Sequence, residues 1–86
     1  MPTLEEIRHH PFTANNRRAF LVTLMCLERS ITDPEVIKEY IYRAYTQPSK
    51  EFANKKKRTD KYIEKETRRS FAYFVKNGHL NQDATE

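Results

Sequence analysis

Residues 33–46 read DPEVIKEYIYRAYT. Thr32 or Asp33 is placed to cap a helix, and Pro34 fits the first turn, where its missing N–H costs nothing. The apolar residues that follow recur at the spacing of a single helix face: Val36, Ile37, Tyr40, Ile41, Ala44 and Tyr45. The pattern predicts a helix from Pro34 to about Thr46 that lies on the core.

Further helices are predicted on both sides of this segment. Thr3 and Glu6 have the spacing of a capping box at the start of a short first helix. The next helix, from about Ala14 to Arg29, is apolar on nearly all sides, which is typical of a helix that others surround. The last runs from Asp60 to Asn77, and five residues at helical spacing form its inner face: Ile63, Thr67, Phe71, Phe74 and Val75.

The fold class follows from these helices and from the scarcity of glycine. Gly78 is the only glycine among 86 residues, so tight hairpins are disfavoured, and it stands where a helix needs a left-handed C-cap. We expect an all-α or mainly α fold, a small bundle of three to four helices. A chain of this length has room for one core, which predicts a single domain over residues 1–80 and a flexible tail at 81–86.

The segment between the third and last helices leaves two interpretations open. Ser49 is placed to cap a short helix that holds Phe52, and either Thr59 or Asp60 is placed to cap a new helix after it. Residues 49–77 therefore form either one helix or two.

Cysteine usage and hydropathy indicate a compartment. The single cysteine, Cys26, cannot form an internal disulfide, and the first residues lack the basic start and apolar run of a secretion signal. The longest stretch poor in polar residues, Ala19 to Leu27, is less than half of the roughly 20 residues that cross a bilayer. We expect a cytoplasmic protein with no membrane span.

Positive charge is concentrated in the second half of the chain. Residues 1–46 hold six basic and six acidic residues, whereas residues 47–86 hold ten and six, so the whole formal charge of +4 lies there. A cluster of this kind is the electrostatic mark of a partner rich in phosphate. The candidate nucleic-acid-binding residues are Lys55, Lys56, Lys57, Arg58, Lys61, Lys65, Arg68, Arg69 and Lys76.

On the last helix, the basic residues from Lys61 to Lys76 fall on one stripe, opposite the inner face. Tyr62 and Tyr73 flank the stripe, where they could bond to phosphates or stack on bases. Glu64 and Glu66 interrupt it, and the alternative interpretation is an ordinary solvated helix face.

Arg17 and Arg18 begin the buried second helix. They offer a second phosphate contact, because a helix N-terminus also presents free N–H groups to anions. Two cations at this end oppose the helix dipole, however, and the alternative is that a nearby carboxylate such as Glu5 or Glu6 compensates them.

The sequence disfavours catalysis, metals and cofactors. His9 and His10 are adjacent, so their rings diverge by roughly 100° on a helix, and no zinc-ligand spacing is present. Cys26 lies in the most apolar segment, where a thiol is unreactive. One glycine cannot build a phosphate-binding loop. We expect no enzyme activity, no metal site and no cofactor.

Residues 69–80 read RSFAYFVKNGHL. This dozen residues resembles the end of the recognition helix in winged-helix DNA-binding domains, where an apolar ladder runs into Lys-Asn-Gly. The resemblance implies a winged-helix-like arrangement without the wing, with the helices at 14–29 and 34–46 as support. It also assigns four residues to DNA: Lys61, Lys65, Arg68 and Arg69.

Three functions remain open. The first is a small regulatory protein that binds nucleic acid through its basic C-terminal helix, with DNA ranked ahead of RNA and the choice between them left open by the sequence. The second is a protein-interaction module or small inhibitor, including a homodimer, since aromatic residues are enriched at interface cores. Its candidate contacts are Tyr42, Tyr45, Phe52 and Tyr73. Binding to an anionic membrane surface ranks third, because the inner face of the last helix is better used as core.

Overall fold

The computed structural model describes residues 2–9, 18–47 and 58–85. Within these ranges the backbone is helical and contains no strand, which confirms the all-α bundle. The helices are α1 (Leu4–His9), α2 (Arg18–Glu28), α3 (Pro34–Thr46), α4 (Asp60–Lys76) and a 3-10 helix (Gln82–Thr85). The predicted residues 14–17 of the second helix lie outside the described ranges.

The helix starts are fixed by short polar side chains that accept otherwise unpaired N–H groups. Thr3 and Glu6 form the predicted capping box, each side chain bonded to the other's backbone N–H at 3.1–3.2 Å. Asp33 caps α3 by accepting from the N–H of Glu35 at 3.0 Å.

Thr59, one of the two predicted caps, begins α4 by accepting from the N–H of Tyr62 at 3.1 Å. The last helix is thus a new one that starts at Asp60. The short helix expected around Ser49 and Phe52 falls on residues 48–57, which the structure does not describe.

Two helices end in a left-handed residue. Gly78 has φ 78°, and the N–H groups of Gly78 and His79 bond back to the last turn of α4, as the sequence predicted for a glycine C-cap. Leu80 then folds back and is buried. Helix α2 ends with the same bonding pattern, but there the left-handed residue is Ser30, with φ 63°.

The core lies around α2, which packs against α1, α3 and α4. Seven of its eleven residues are buried, as expected of a helix that others surround. Phe20 contacts Phe74 with ring centroids 5.0 Å apart, and Leu24, Ile37 and Ile41 are fully buried beside them. These contacts place α3 and α4 side by side, with their outer faces turned to solvent.

A buried polar network joins α4 to α2. The Ser70 hydroxyl donates to Thr23 Oγ1 at 2.8 Å, and Thr23 donates to the carbonyl of Ala19 at 2.8 Å. These bonds satisfy hydroxyl groups inside the core, where an unpaired one would cost about 1–3 kcal/mol.

The inner faces of the helices differ from the prediction at their edges. Of the six apolar residues expected on the core side of α3, Val36 is 39% exposed and Tyr40 is 45% exposed. The reason is that α2 and α4 cover only the narrower strip of Ile37, Ile41 and Tyr45. On α4, Val75 is only half-buried.

The described part of the tail expected at 81–86 contains a short helical element. Gln82–Thr85 form a 3-10 helix against α4, and Ala84 is 7% exposed. Asn81 starts this turn, because its side chain accepts from the N–H of Asp83 and its carbonyl from that of Ala84. Ala84 is thus the residue of this segment that contributes to the core.

In the described ranges, none of the helices combines the length and the apolar character that a membrane crossing requires.

Candidate functional site

One exposed face of α4 carries five basic residues, here called the basic stripe: Lys61, Lys65, Arg68, Arg69 and Lys76. At 100° per residue these five positions fall within an arc of about 100°, and at 1.5 Å per residue they span about 22 Å along the helix. The burial pattern agrees with this arc, because the opposite side of α4 is packed into the core. The predicted stripe residues on α4 are therefore together on one surface.

Ala72 occupies the same arc, between Arg69 and Lys76, and is exposed. A methyl side chain leaves the helix backbone accessible there, while the longer cationic side chains stand on both sides of it. A large ligand could approach the helix closely at this point.

The acidic residues of α4 pair with only part of the stripe. Arg68 contacts Glu64 at 2.9 Å, and Arg69 lies 3.9 Å from the carboxylate of Glu66, which is 2% exposed. Both arginines remain largely exposed. The Arg68–Glu64 pair is exposed on both sides and contributes about 0–1 kcal/mol, so a phosphate can replace the Glu64 carboxylate.

The three lysines of the stripe differ from its arginines. In the part of the chain that the structure describes, Lys61, Lys65 and Lys76 form no ion pair. Their charges are therefore available to an anionic partner.

Arg58 continues the stripe beyond the N-terminus of α4. It is exposed, and its guanidinium carbon lies 4.7 Å from the ring centre of Tyr62. Tyr62 in turn meets Tyr45 edge to face, with ring centroids 6.0 Å apart. Stacking on a packed ring restricts the arginine side chain, and this lowers the entropy that it loses on binding. The predicted contacts Lys55, Lys56 and Lys57 lie outside the described residues.

The two tyrosines that flank the stripe are engaged in the fold. One face of Tyr62 is covered by Arg58, and Tyr73 packs against Phe20 and Phe74 at 5.0 and 5.3 Å. Both are half-buried. They support the basic surface and leave little ring face for a stacked base.

Arg18 has a structural role that sequence reasoning missed. Its Nη1 donates to the carbonyl of Ala44 at 3.0 Å, and its guanidinium lies 5.1 Å from the ring centre of Tyr45. Ala44 is in the last turn of α3, where carbonyls lack helical partners and a positive charge is favoured. The end of α3 thus stabilises this cation, while Glu6 serves the capping box.

Tyr45 is central to this junction of three helices. It is buried, so the interface role expected for it is wrong. Burial raises the pKa of its hydroxyl group, and a backbone hydrogen bond from Ala19 opposes the rise. Arg17, the other half of the predicted arginine pair, lies outside the described residues.

A groove of about 650 Å³ lies beside the stripe, between α3, α4 and the 3-10 helix. Ile63 and Phe71 contribute apolar surface, and the charged lining residues are balanced, with Lys38 and Arg68 against Asp60 and Glu64. The groove therefore has no net charge that would favour a cationic or an anionic ligand.

The described residues that were considered for metal binding or nucleophilic chemistry are His9, Cys26 and His79. Among residues 2–9, 18–47 and 58–85, no three His, Cys, Asp or Glu side chains come together. His79 bonds to the carbonyl of Pro2 at 2.7 Å. Cys26 is buried as predicted, and burial raises the pKa of its thiol, which keeps it protonated.

No protein-family model matches the chain, and neither a curated protein nor a solved structure is significantly similar to it.

Proposed function

We propose that this protein binds nucleic acid, preferentially DNA, through the basic stripe of α4 extended by Arg58. The observation that carries the proposal is the exposed arc itself, which holds five cations, three of them free of ion pairs within the described residues. The proposed action is binding, without catalysis, metal or cofactor.

The contrast between two solvent-facing helices supports this choice. On α3 the exposed charges balance, since Glu35 pairs with Lys38 at 3.3 Å and Glu39 with Arg43 at 2.6 Å. On α4 the cations outnumber the acids and occupy one side. A solvated face without a partner needs no such segregation, whereas a polyanion is attracted by it.

The dimensions fit a run of phosphates. One strand of duplex DNA places a phosphate about every 3.4 Å along the axis, so about 22 Å of helix faces more phosphates than the stripe has cations. We therefore expect about four to six phosphates to be neutralised. Counterion release then predicts an affinity loss of about 10²- to 10³-fold between 50 and 200 mM salt.

The test is fluorescence anisotropy with labelled duplex DNA, single-stranded DNA and RNA of equal length, across a salt series. The double variant Lys61→Ala/Lys65→Ala removes two free lysines from the stripe. We expect it to weaken binding at least tenfold and to reduce the slope of log Kd against log salt by about 2.

A matched control removes the same charge elsewhere. Arg29 is exposed in the turn after α2 and Lys38 is exposed on α3, and Arg29→Ala/Lys38→Ala lowers the net charge by the same amount. We expect this control to bind within about twofold of wild type. Equal losses for both variants would mean that net charge alone drives binding, and no binding at 50 mM salt would refute the proposal.

A further inference from the structure

The large apolar side chains that remain exposed in the described ranges belong to one helix, α3. They are Val36, Tyr40 and Tyr42, exposed by 39%, 45% and 46%. Val36 and Tyr40 are one turn apart on the same edge of the helix, whereas Tyr42 lies on the other edge, beside the groove. Ile37 and Ile41, on the inner side of α3, are fully buried. The edge with Val36 and Tyr40 stays largely exposed to solvent.

Two charges of opposite sign accompany this edge. Glu39 and Arg43 lie one turn apart and pair with each other at 2.6 Å, with side chains 62% and 54% exposed. The four residues Val36, Glu39, Tyr40 and Arg43, here called the α3 edge, form an apolar-aromatic surface with no net charge. The whole positive excess of the chain lies in residues 47–86, outside this edge.

We propose that the α3 edge is an interface with a second copy of this chain, in which the two α3 helices pack antiparallel about a two-fold axis. Along the axis of α3, Ile41 lies midway between Glu39 and Arg43. A two-fold axis at that level sets Glu39 of each copy against Arg43 of the other, and it brings the two Tyr40 rings together at the centre.

Self-complementarity is what selects a second copy over another partner. A two-fold interface pairs a surface with itself, so any charges on it must be placed so that the axis sets each one against an opposite charge. The α3 edge meets this requirement, and a basic or acidic partner would gain nothing from its neutral surface. Aromatic residues such as Tyr40 are also enriched at interface cores.

The size of the surface sets the expected affinity. α3 has 13 residues and is therefore about 20 Å long. One edge of such a helix buries less than the roughly 1,200 Å² of a standard stable interface. We expect a dimer with a Kd of about 10–500 μM, in the range of weak, transient complexes. This inference does not depend on nucleic-acid binding.

The first experiment is sedimentation equilibrium of the full chain from 5 μM to 1 mM. Tyr40→Ser should raise the dimer Kd at least tenfold. Tyr42→Ser is the matched control, because the two tyrosines are almost equally exposed on the same helix, and it should change the Kd less than twofold. A wild type that stays monomeric to 1 mM, or equal effects of the two variants, would overturn the proposal.

The second experiment exchanges charges. Glu39→Arg and Arg43→Glu each place like charges across the two-fold axis, so each variant alone should dimerise at least tenfold more weakly than wild type. An equimolar mixture should form heterodimers with near wild-type affinity.

Mixing cannot restore the ion pair within either helix, so recovery reports contacts between copies. Circular dichroism establishes that both variants keep their helices. A mixture no tighter than its components would refute the proposed arrangement of the two helices.

Discussion

Ser30 offers a direct test of the backbone geometry at the end of α2. It holds φ 63°, a left-handed conformation that costs a residue with a Cβ about 1–2 kcal/mol and costs glycine almost nothing. Ser30→Gly relieves this cost but adds unfolded-state entropy worth about 0.4–1 kcal/mol. The net expectation is about 0.5–1 kcal/mol of added stability, which raises Tm by about 2–8 °C.

Thermal and urea unfolding followed by circular dichroism measure this difference. Ser30→Ala is the control, since it removes the exposed hydroxyl and keeps the left-handed strain, and it should lie within about 0.5 kcal/mol of wild type. A destabilised Ser30→Gly variant would refute the assigned geometry. So would an equal gain for Ser30→Ala, because the effect would then come from the hydroxyl group.

Two further predictions concern pH. Arg8 donates from Nε and Nη2 to both Glu28 oxygens, and these bonds lower the pKa of Glu28. The ion pair therefore stabilises the fold above about pH 4.5, and this stabilisation is lost as the pH falls through the lowered pKa. Glu28→Gln should thus lower the free energy of unfolding by up to about 1 kcal/mol at pH 7 and leave it unchanged at pH 2, as measured by urea unfolding at both pH values. An equal difference between variant and wild type at the two pH values would contradict this prediction. Burial raises the pKa of Tyr45, so the wild type should lose stability above about pH 10, where the unfolded side chain ionises. Tyr45→Phe should resist this loss in alkaline thermal melts, and parallel pH profiles would exclude the tyrosine as its cause.

Local features of the fold could be predicted from the sequence because each depends on a few neighbouring residues. The capping box of Thr3 and Glu6, the caps Asp33 and Thr59, and the left-handed Gly78 all form within one turn. The left-handed Ser30 could not be predicted in this way. Serine carries no preference for that conformation, and the contact of Ile31 with the core that accompanies the turn depends on tertiary packing.

Burial at the helix edges depended on contacts between distant segments. The spacing of Val36 and Tyr40 is compatible with the core, but which edge of α3 is covered depends on how α2 and α4 cross it. The burial of Ala84 could not be predicted for a different reason. A single methyl group in a polar segment gives no periodic signal, although it packs against α4.

The basic stripe was predictable for the same reason that the caps were. Helical period alone places Lys61, Lys65 and Lys76 on one side once the inner face is known. The role of Arg18 was not predictable, because its partners Ala44 and Tyr45 are 26 and 27 positions away in the chain. Sequence periodicity therefore located the candidate site, and only the packing of three helices revealed what supports it.

The two proposed surfaces bear on each other through symmetry. The α3 edge and the basic stripe share no residue, so a two-fold dimer would carry two stripes related by the same axis. A polyanion long enough to reach both would engage twice as many cations, and the second contact would form at the high effective concentration of a tethered site. The salt dependence of binding would then steepen as protein concentration rises through the dimer Kd, whereas a monomer would keep one slope at every concentration.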